Sequence, residues 1–487
     1  MSKLIINSLF ISLKSSLLVR TIQQLPSRER KELLDFLKCP LFNRRDEVSR
    51  LCEYLVNNVD KPVKNAFRAE LLFSTALPGE GYDNRRLRHI MSYALEATRH
   101  FIALLDWQSN EADRQHSLIR SLRNRNMDKL FEKEVNKAVV KGEQQSVRDA
   151  RHHFNQYQLL HEKLEQKARN ERSSRLDLQP LPDELTVFYV AEMLRHACAS
   201  LSHQAVAGKQ YQVKLLDAIL DVATQTKMLE SPAVAVYYQA YKMLSAPDEN
   251  EPFEQLKKLL KIHEGSFTRE EMRGLYLMAI NGCIRRLNSG RREYAREAFE
   301  VYQTALERDF LTEKGYLSSF TYKNIIRIGA LVGEHAWTET FLESHRNSLH
   351  PTKRENIYRY NRAFLLFQKG DYANAMPLLQ QVEFEDTLNN LHARRMLVRS
   401  YFELEEFTAL ESLLQSFSSY LNRQKDLGYH REPNIKFVRY TARLLKLSPY
   451  DNTTRKALFQ EISENKSVAE QEWLLSKLVL NNNIGLA

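Results

Sequence analysis

Three bulky aromatic residues recur every 35 residues in the second half of the chain, at Trp337, Tyr372 and Phe407. Each follows an acidic turn and begins an apolar segment with helical periodicity, as in "KGDYANAMPLL" and "LEEFTALESLL". The segments before them, "IIRIGALV", "YNRAFLLF" and "MLVRSYF", have helical periodicity too. A fixed period of this kind predicts a series of helix-turn-helix units that stack on one another.

Small or short residues occupy corresponding places in the first helix of each unit, at Gly329, Ala363 and Val398. Such residues let the two helices of a hairpin approach closely. Helix starts are also marked in the sequence. The capping-box pattern occurs at Thr268 and again at Thr352, and Pro232 follows a serine at a third expected start.

Length and composition favour a helical chain of several units. The 487 residues exceed one ordinary hydrophobic core, so several domains or a repeat array are expected. The chain has only 14 glycines and 13 prolines, whereas these two residues make up roughly 12% of average proteins. Good helix formers recur throughout. The predicted fold class is therefore all-α.

The period and these residues resemble the tetratricopeptide repeat, a helical hairpin of about 34 residues. Further units at 272–308, 321–350 and 391–423 match less closely. The resemblance implies a right-handed α-solenoid whose first helices line a concave groove. The best-matching unit, 356–388, has at the signature positions Ala363, Leu366, Gly370, Tyr372, Ala375 and Leu379.

The whole chain also resembles a set of uncharacterised bacterial proteins of similar length. In these, an N-terminal helical module with a pattern like "LLDFLKCPLFNRRDEVSRLCEYL" precedes degenerate repeats and a closing helix like "AEQEWLLSKL". That resemblance implies a layout and no activity. The predicted domains are an N-terminal helical module (1–110), a charged helical connector (111–180), the repeat solenoid (181–430) and C-terminal capping helices (431–487). Within the connector we expect two long exposed helices broken near Gly142.

Cysteine usage and hydropathy indicate the compartment. Cys39, Cys52, Cys198 and Cys283 form no CxxC pair, which suits a reducing environment and argues against a disulfide framework. The apolar stretch at 4–13 is too short to span a bilayer. It has the character of a signal-peptide core, but a helical pattern follows it without a small-residue cleavage site. We expect a cytoplasmic protein that does not contact the membrane.

The positive charge lies mainly in the first third. Residues 1–180 hold 32 Lys/Arg and 23 Asp/Glu, a balance of +9, and the whole chain carries a net charge of +10. Short basic clusters are interrupted by acids, so a solvated surface and a nucleic-acid contact are both open interpretations. The clusters are Arg44 with Arg45, Arg85 with Arg86 and Arg88, and Arg120 with Arg123 and Arg125.

No motif for enzyme chemistry is found. Phosphate-binding loops, GxSxG and HExxH are absent from the sequence. His153, His161 and Glu165 share one helical face, but a solvated charged helix explains them better than a metal site. His196 and His203 are interpreted in the same way. We expect a non-enzymatic protein without cofactor or metal.

If the repeat alignment holds, six residues face the groove and bind a partner protein: Tyr360, Asn361, Phe364, Gln368, Arg395 and Arg399. The two arginines lie one helical turn apart, and paired guanidinium groups bind carboxylates well. In the alternative interpretation, they pair with Glu403 and neighbouring acidic residues. The predicted function is a scaffold or adaptor; the alternative is a regulator that contacts nucleic acid through the basic N-terminal third.

Overall fold

The computed structural model describes residues 13–61, 66–170, 177–207, 209–225, 227–382, 387–424, 427–448, 451–465 and 467–479. Most of the apolar stretch at 4–13 lies outside these residues. The described part is all-α, as the composition predicted, apart from one short antiparallel pair of strands. None of its helices has the length and hydropathy needed to cross a membrane.

Two compact units divide the chain, one formed by residues 1–145 and 152–185 and the other by residues 146–151 and 186–487. The helices assigned largely to the first unit are α1 (Leu17–Gln24), α2 (Ser27–Lys38), α3 (Asp46–Asn58), α4 (Ala69–Ala76), α5 (Asn84–Ser109), α6 (Glu111–Asn124), α7 (Asp128–Gln144) and α8 (Ala150–Asn170).

The remaining helices, most of them wholly in the second unit, are α9 (Pro180–Ala207), α10 (Leu216–Gln225), α11 (Pro232–Ser245), α12 (Glu251–Ile262), α13 (Arg269–Asn288), α14 (Tyr294–Glu307), α15 (Ser319–Leu331), α16 (His335–Ser344), α17 (Arg354–Gln368), α18 (Tyr372–Gln380), α19 (Thr387–Glu403), α20 (Phe407–Arg423), α21 (Arg431–Leu445), α22 (Asn452–Glu464) and α23 (Gln471–Leu478). The strands β1 (Thr312–Glu313) and β2 (Tyr316–Leu317) lie between α14 and α15.

Apolar residues of α1 to α5 form one core in the first unit, with Leu33, Leu51, Leu72 and Leu87 fully buried. A smaller cluster joins α6, α7 and α8. The break predicted near Gly142 is confirmed to within a few residues, because α7 ends at Gln144 and α8 begins at Ala150. The prediction of two exposed helices is wrong, because a further break at 125–127 separates α6 from α7 and all three helices pack on one another. The polar character of these helices hid the break between α6 and α7 and the packing among all three.

Consecutive helices in the second unit pair as hairpins, α11 with α12, α13 with α14, α15 with α16, α17 with α18 and α19 with α20. First helices also contact one another, since α15 packs on α17 and α17 on α19. Gly329 fulfils the expected role of a small residue, because a Cβ atom built there would lie 2.2 Å from Oγ1 of Thr338 on α16. The hairpin turn before α18 uses Gly370 with a φ of +78°.

Two of the three expected helix starts are confirmed. The Thr268 hydroxyl accepts a hydrogen bond from the backbone N–H of Glu271, and α11 begins at Pro232. The start at Thr352 is wrong, because α17 begins at Arg354 and the Thr352 hydroxyl is hydrogen-bonded to His350. A local hydrogen bond to a side chain here replaces the capping interaction.

Candidate functional site

The predicted groove residues of α17 lie along one stripe, because Tyr360, Phe364 and Gln368 are spaced by four residues each. Tyr360 is 2% exposed and Phe364 8%, while Gln368 is exposed at the end of the helix. Asn361 is 1% exposed, and its amide donates to the carbonyl of Ile357 at 2.7 Å. Tyr360, Asn361 and Phe364 thus lie beneath the surface, and Gln368 lies on it.

A chain of hydrogen bonds links three successive first helices. The Arg327 guanidinium on α15 donates to the hydroxyl of Tyr360 at 3.0 Å. That hydroxyl lies 2.8 Å from Nδ1 of His392 on α19. The hydroxyl accepts from Arg327 and can donate its own proton to Nδ1 of His392 when that nitrogen is unprotonated.

His392 is kept uncharged by its surroundings. Burial lowers its pKa well below the usual range, and the nearby cations Arg327, Arg395, Lys323 and Arg399 lower it further. A neutral imidazole with an accepting Nδ1 fits the hydrogen bond from Tyr360. The positive charge of this region therefore resides on the arginine and lysine side chains.

Arg395 and Arg399 both bind Glu470, which directly precedes α23. Nε of Arg395 lies 3.0 Å from one carboxylate oxygen and Nη1 of Arg399 lies 2.7 Å from the other. Arg395 also donates to Oδ1 of Asn434 on α21 at 3.3 Å. The three charged side chains are 20 to 23% exposed. The carboxylate that the two arginines contact is thus Glu470, with Glu403 bonded elsewhere.

Glu403 anchors the following helix. One of its carboxylate oxygens accepts from Nε1 of Trp473 at 2.7 Å, and the other accepts from Lys477 at 2.7 Å. The Trp473 ring packs edge-on against Phe402, and the guanidinium carbon of Arg399 lies 5.6 Å from its centre. The C-terminal helix α23 is therefore held against α19 by two carboxylate contacts and a buried indole.

The surface near Arg327 is more open. Arg327 forms no salt bridge within the described part of the chain, and its contacts are Tyr360 and the ring of Phe364. On the same stripe of α15, Phe320 is 65% exposed and Leu331 61%. We define the first-helix face by the partly or fully exposed residues Phe320, Lys323, Arg327, Leu331, Gln368, His392, Arg395 and Arg399, together with the buried Tyr360 and Phe364 beneath them. This surface combines cations with exposed apolar groups, so it can bind an anionic, partly apolar segment.

No match was found to protein-family models, curated proteins or solved structures. Function therefore has to be inferred from the chemistry of the chain's own side chains. Among these, Arg327, His392 and Glu470 were not singled out from the sequence. Arg327 had a detectable signal, because it follows Lys323 by four residues, the same spacing as Arg395 and Arg399.

The histidines considered as metal ligands have other contacts. Nδ1 of His153 lies 2.7 Å from Oε2 of Glu184, and Nδ1 of His203 lies 2.8 Å from the hydroxyl of Tyr211. His161 packs near the ring of Tyr157. Within the described ranges no group of three or more His, Cys, Asp or Glu is arranged to hold a metal ion.

The basic clusters of the first unit differ in accessibility. Arg85, Arg86 and Arg88 are exposed together at the start of α5, with Arg86 paired to Glu80. Arg123 is 18% exposed and binds the buried Glu162 at 2.6 Å. Arg44 and Arg45 are exposed as well, and so are Arg120 and Arg125. The cluster at the start of α5 holds three exposed arginines within four residues.

Proposed function

We propose that the chain is a non-enzymatic adaptor that binds a segment of a partner protein. In this proposal the hairpins stack as a right-handed α-solenoid of tetratricopeptide type, closed by α21 to α23, and the first-helix face lines its concave groove. The pairing of consecutive helices and the contacts between successive first helices support this arrangement. The 35-residue spacing of Trp337, Tyr372 and Phe407 supports it as well.

One observation carries the proposal: the first-helix face already binds a carboxylate presented at the start of a short helix. Arg395 and Arg399 hold Glu470 while Trp473, one turn further along, is buried beside Arg399. Charge-assisted hydrogen bonds to two guanidinium groups and burial of an aromatic ring are the interactions that anchor peptide segments in protein complexes. A partner segment of similar chemistry would bind the open part around Arg327.

The six residues named from the sequence would act in two ways. Tyr360, Asn361 and Phe364 are buried, so they would support the surface and orient Arg327 and His392. Gln368, Arg395 and Arg399 retain exposed area and would contact the partner directly. Because Arg395 and Arg399 also hold Glu470, replacing them would disturb α23 as well as binding. Arg327 contacts Tyr360 and Phe364 on α17, so its replacement tests partner binding without removing a contact to Glu470.

The test is affinity purification of the full chain from its native cell, with and without nuclease, followed by mass spectrometry. The tagged wild type is compared with Arg327→Glu and with the control Lys258→Glu, which makes the same charge change at an exposed position on α12. The proposal requires a stoichiometric protein partner that survives nuclease, is lost with Arg327→Glu and is kept with Lys258→Glu. A partner set unaffected by Arg327→Glu would contradict it.

The second candidate, a regulator that contacts nucleic acid, rests on the exposed cluster Arg85, Arg86 and Arg88. Neutralised phosphate contacts make affinity fall steeply with salt. This candidate requires nucleic acid in the purified sample, loss of partners on digestion, and loss of binding when the three arginines become Ala. Binding that does not change between low and high salt would exclude it.

A further inference from the structure

A cleft of about 560 Å³ lies within the first unit, bordered by the end of α5 and by α6, α7 and α8. Its volume falls in the range of roughly 300 to 1,000 Å³ that small-molecule sites occupy. Folded chains normally fill the space between packed helices and leave few voids larger than a water molecule. The α6–α8 cleft therefore exists because the residues that line it do not fill the space between the helices.

Each of the three helices contributes a stripe with the spacing i, i+3, i+4, i+7, which is the face that a helix turns toward its neighbours. On α6 the stripe consists of Ala112, Gln115, His116 and Ile119. On α7 it consists of Ala138, Lys141 and Gly142, and Gln145 follows directly after the helix. On α8 it consists of His152, Asn155, Gln156 and Leu159.

In an ordinary helical bundle these inward positions are large and apolar. Here they are small or polar at one end, and apolar only at the other, where Ile119 and Leu159 are buried and join the small core with Phe131 and Val135. Ala112 and Lys141 at the open end are exposed. The three stripes thus form a polar-walled cleft with an apolar floor.

The walls offer side-chain amides that are not used within the protein. Asn155, Gln156 and Gln158 make no side-chain hydrogen bond within the described part of the chain. Gly142 makes room for one of them, since a Cβ atom built there would lie 2.4 Å from Nε2 of Gln156. An amide presents both a donor and an acceptor, so this set suits ligand hydroxyl and amide groups.

The charges of the cleft nearly cancel. Lys141 is paired with Glu111 across the open end, and the other charged lining residues are Lys137 and Asp106. Burial lowers the pKa of His116, although Glu162 nearby raises it, so the imidazole is largely neutral near pH 7. A site with balanced charge gives no electrostatic preference to polyanions such as nucleoside triphosphates.

We infer that the α6–α8 cleft binds an uncharged, hydroxyl-rich small molecule of nucleoside or disaccharide size. The free amides of α8 bind the hydroxyl or amide groups of this ligand, and its less polar side rests on Ile119 and Leu159. This site is independent of the proposed adaptor function. It gives the first unit a ligand-binding role of its own.

The probes are adenosine, uridine, sucrose and trehalose, with adenosine monophosphate as the charged counterpart of adenosine. Binding to the full chain is measured by saturation-transfer NMR and by the shift in melting temperature. Gln156→Met removes one wall amide at nearly constant length, and Ala138→Leu fills the cleft. Asn136→Leu makes a similar change on the exposed side of α7 and is the matched control. Circular dichroism establishes that each variant is folded.

The inference requires at least one neutral probe to bind with a Kd below about 1 mM, weakened about tenfold or more by Gln156→Met and by Ala138→Leu and unchanged by Asn136→Leu. Binding of adenosine or uridine would identify the ligand class as nucleosides, and binding of sucrose or trehalose would identify it as disaccharides. The absence of saturable binding by every neutral probe would overturn the inference. So would binding that survives both cleft variants, or tighter binding of the monophosphate than of adenosine.

Discussion

Nη1 of Arg399 lies 2.7 Å from Oε2 of Glu470, although the two residues are 71 positions apart in the chain. Arg395 holds the other oxygen of the same carboxylate at 3.0 Å. The contact ties α19 to the C-terminal helix α23, whose Trp473 and Leu474 are buried. It also shows that the first-helix face can bind an acid at the start of a helix.

Replacement of Glu470 by Gln should destabilise the second unit by about 1 to 3 kcal/mol, because two partly buried guanidinium groups lose their charged acceptor. The free energy of unfolding is measured by urea titration, and the matched control is Glu472→Gln, two residues on at an exposed position. Equal free energies of unfolding for the two variants would show that the contact with Arg395 and Arg399 contributes nothing to stability.

Because α15 and α16 approach closely at Gly329, the effect of a Gly329 substitution on stability should depend on the side chain of Thr338. Gly329→Ala alone should lower the free energy of unfolding by about 1 to 2 kcal/mol, since the new methyl group overlaps the Thr338 hydroxyl. In a Thr338→Ala background the same change should be neutral or stabilising, because Ala is the better helix former. A double-mutant cycle measures this coupling. Additive effects of the two substitutions would contradict the contact.

Glu271 predicts a pH dependence of stability. Burial raises the pKa of its carboxyl to about 7, with Asp149 and Glu192 adding to the shift and Tyr237 and Arg195 opposing it. The folded chain therefore keeps this proton to higher pH than the unfolded chain. The associated stability is complete at a pH below the carboxyl's unfolded pKa and is lost as the pH rises through about 7.

The comparison variant for this group is Glu271→Gln, which keeps an acceptor for the Tyr237 hydroxyl. The free energy of unfolding of wild type minus that of the variant should fall by about 2 to 3 kcal/mol between roughly pH 4 and pH 8. Urea titrations of both proteins at several pH values measure this difference. A difference that stays constant, or rises with pH, would contradict the shifted carboxyl.

How much the sequence predicts depends on how local the determining signal is. The hairpins from α13 to α20 were predictable, because their signals lie within single helical hairpins. These signals are the periodic spacing of apolar residues, the small residue Gly329 and the turn glycine Gly370. The acid bound by Arg395 and Arg399 was not, because nothing near these arginines in sequence points to Glu470. Glu403, the acid expected from proximity, is bonded to Trp473 and Lys477.

The α6–α8 cleft illustrates a second limit. Sequence patterns identify an inward helix face by its apolar residues, and here that face carries Gln115, His116, Asn155 and Gln156. Such a helix has the same pattern as one exposed to solvent. The connector was therefore expected to form two exposed helices, and only the packing of three helices reveals that its polar stripes converge.

The most direct test of the adaptor proposal is site-specific photo-crosslinking in the native cell. Benzoylphenylalanine replaces Gln368 or Phe320 on the first-helix face, or Glu411 at an exposed position on α20 as the control. The proposal predicts that both face positions crosslink to one segment of one partner protein, that Arg327→Glu removes these products, and that Glu411 gives none. No crosslink from the face, or the same products from Glu411, would contradict it.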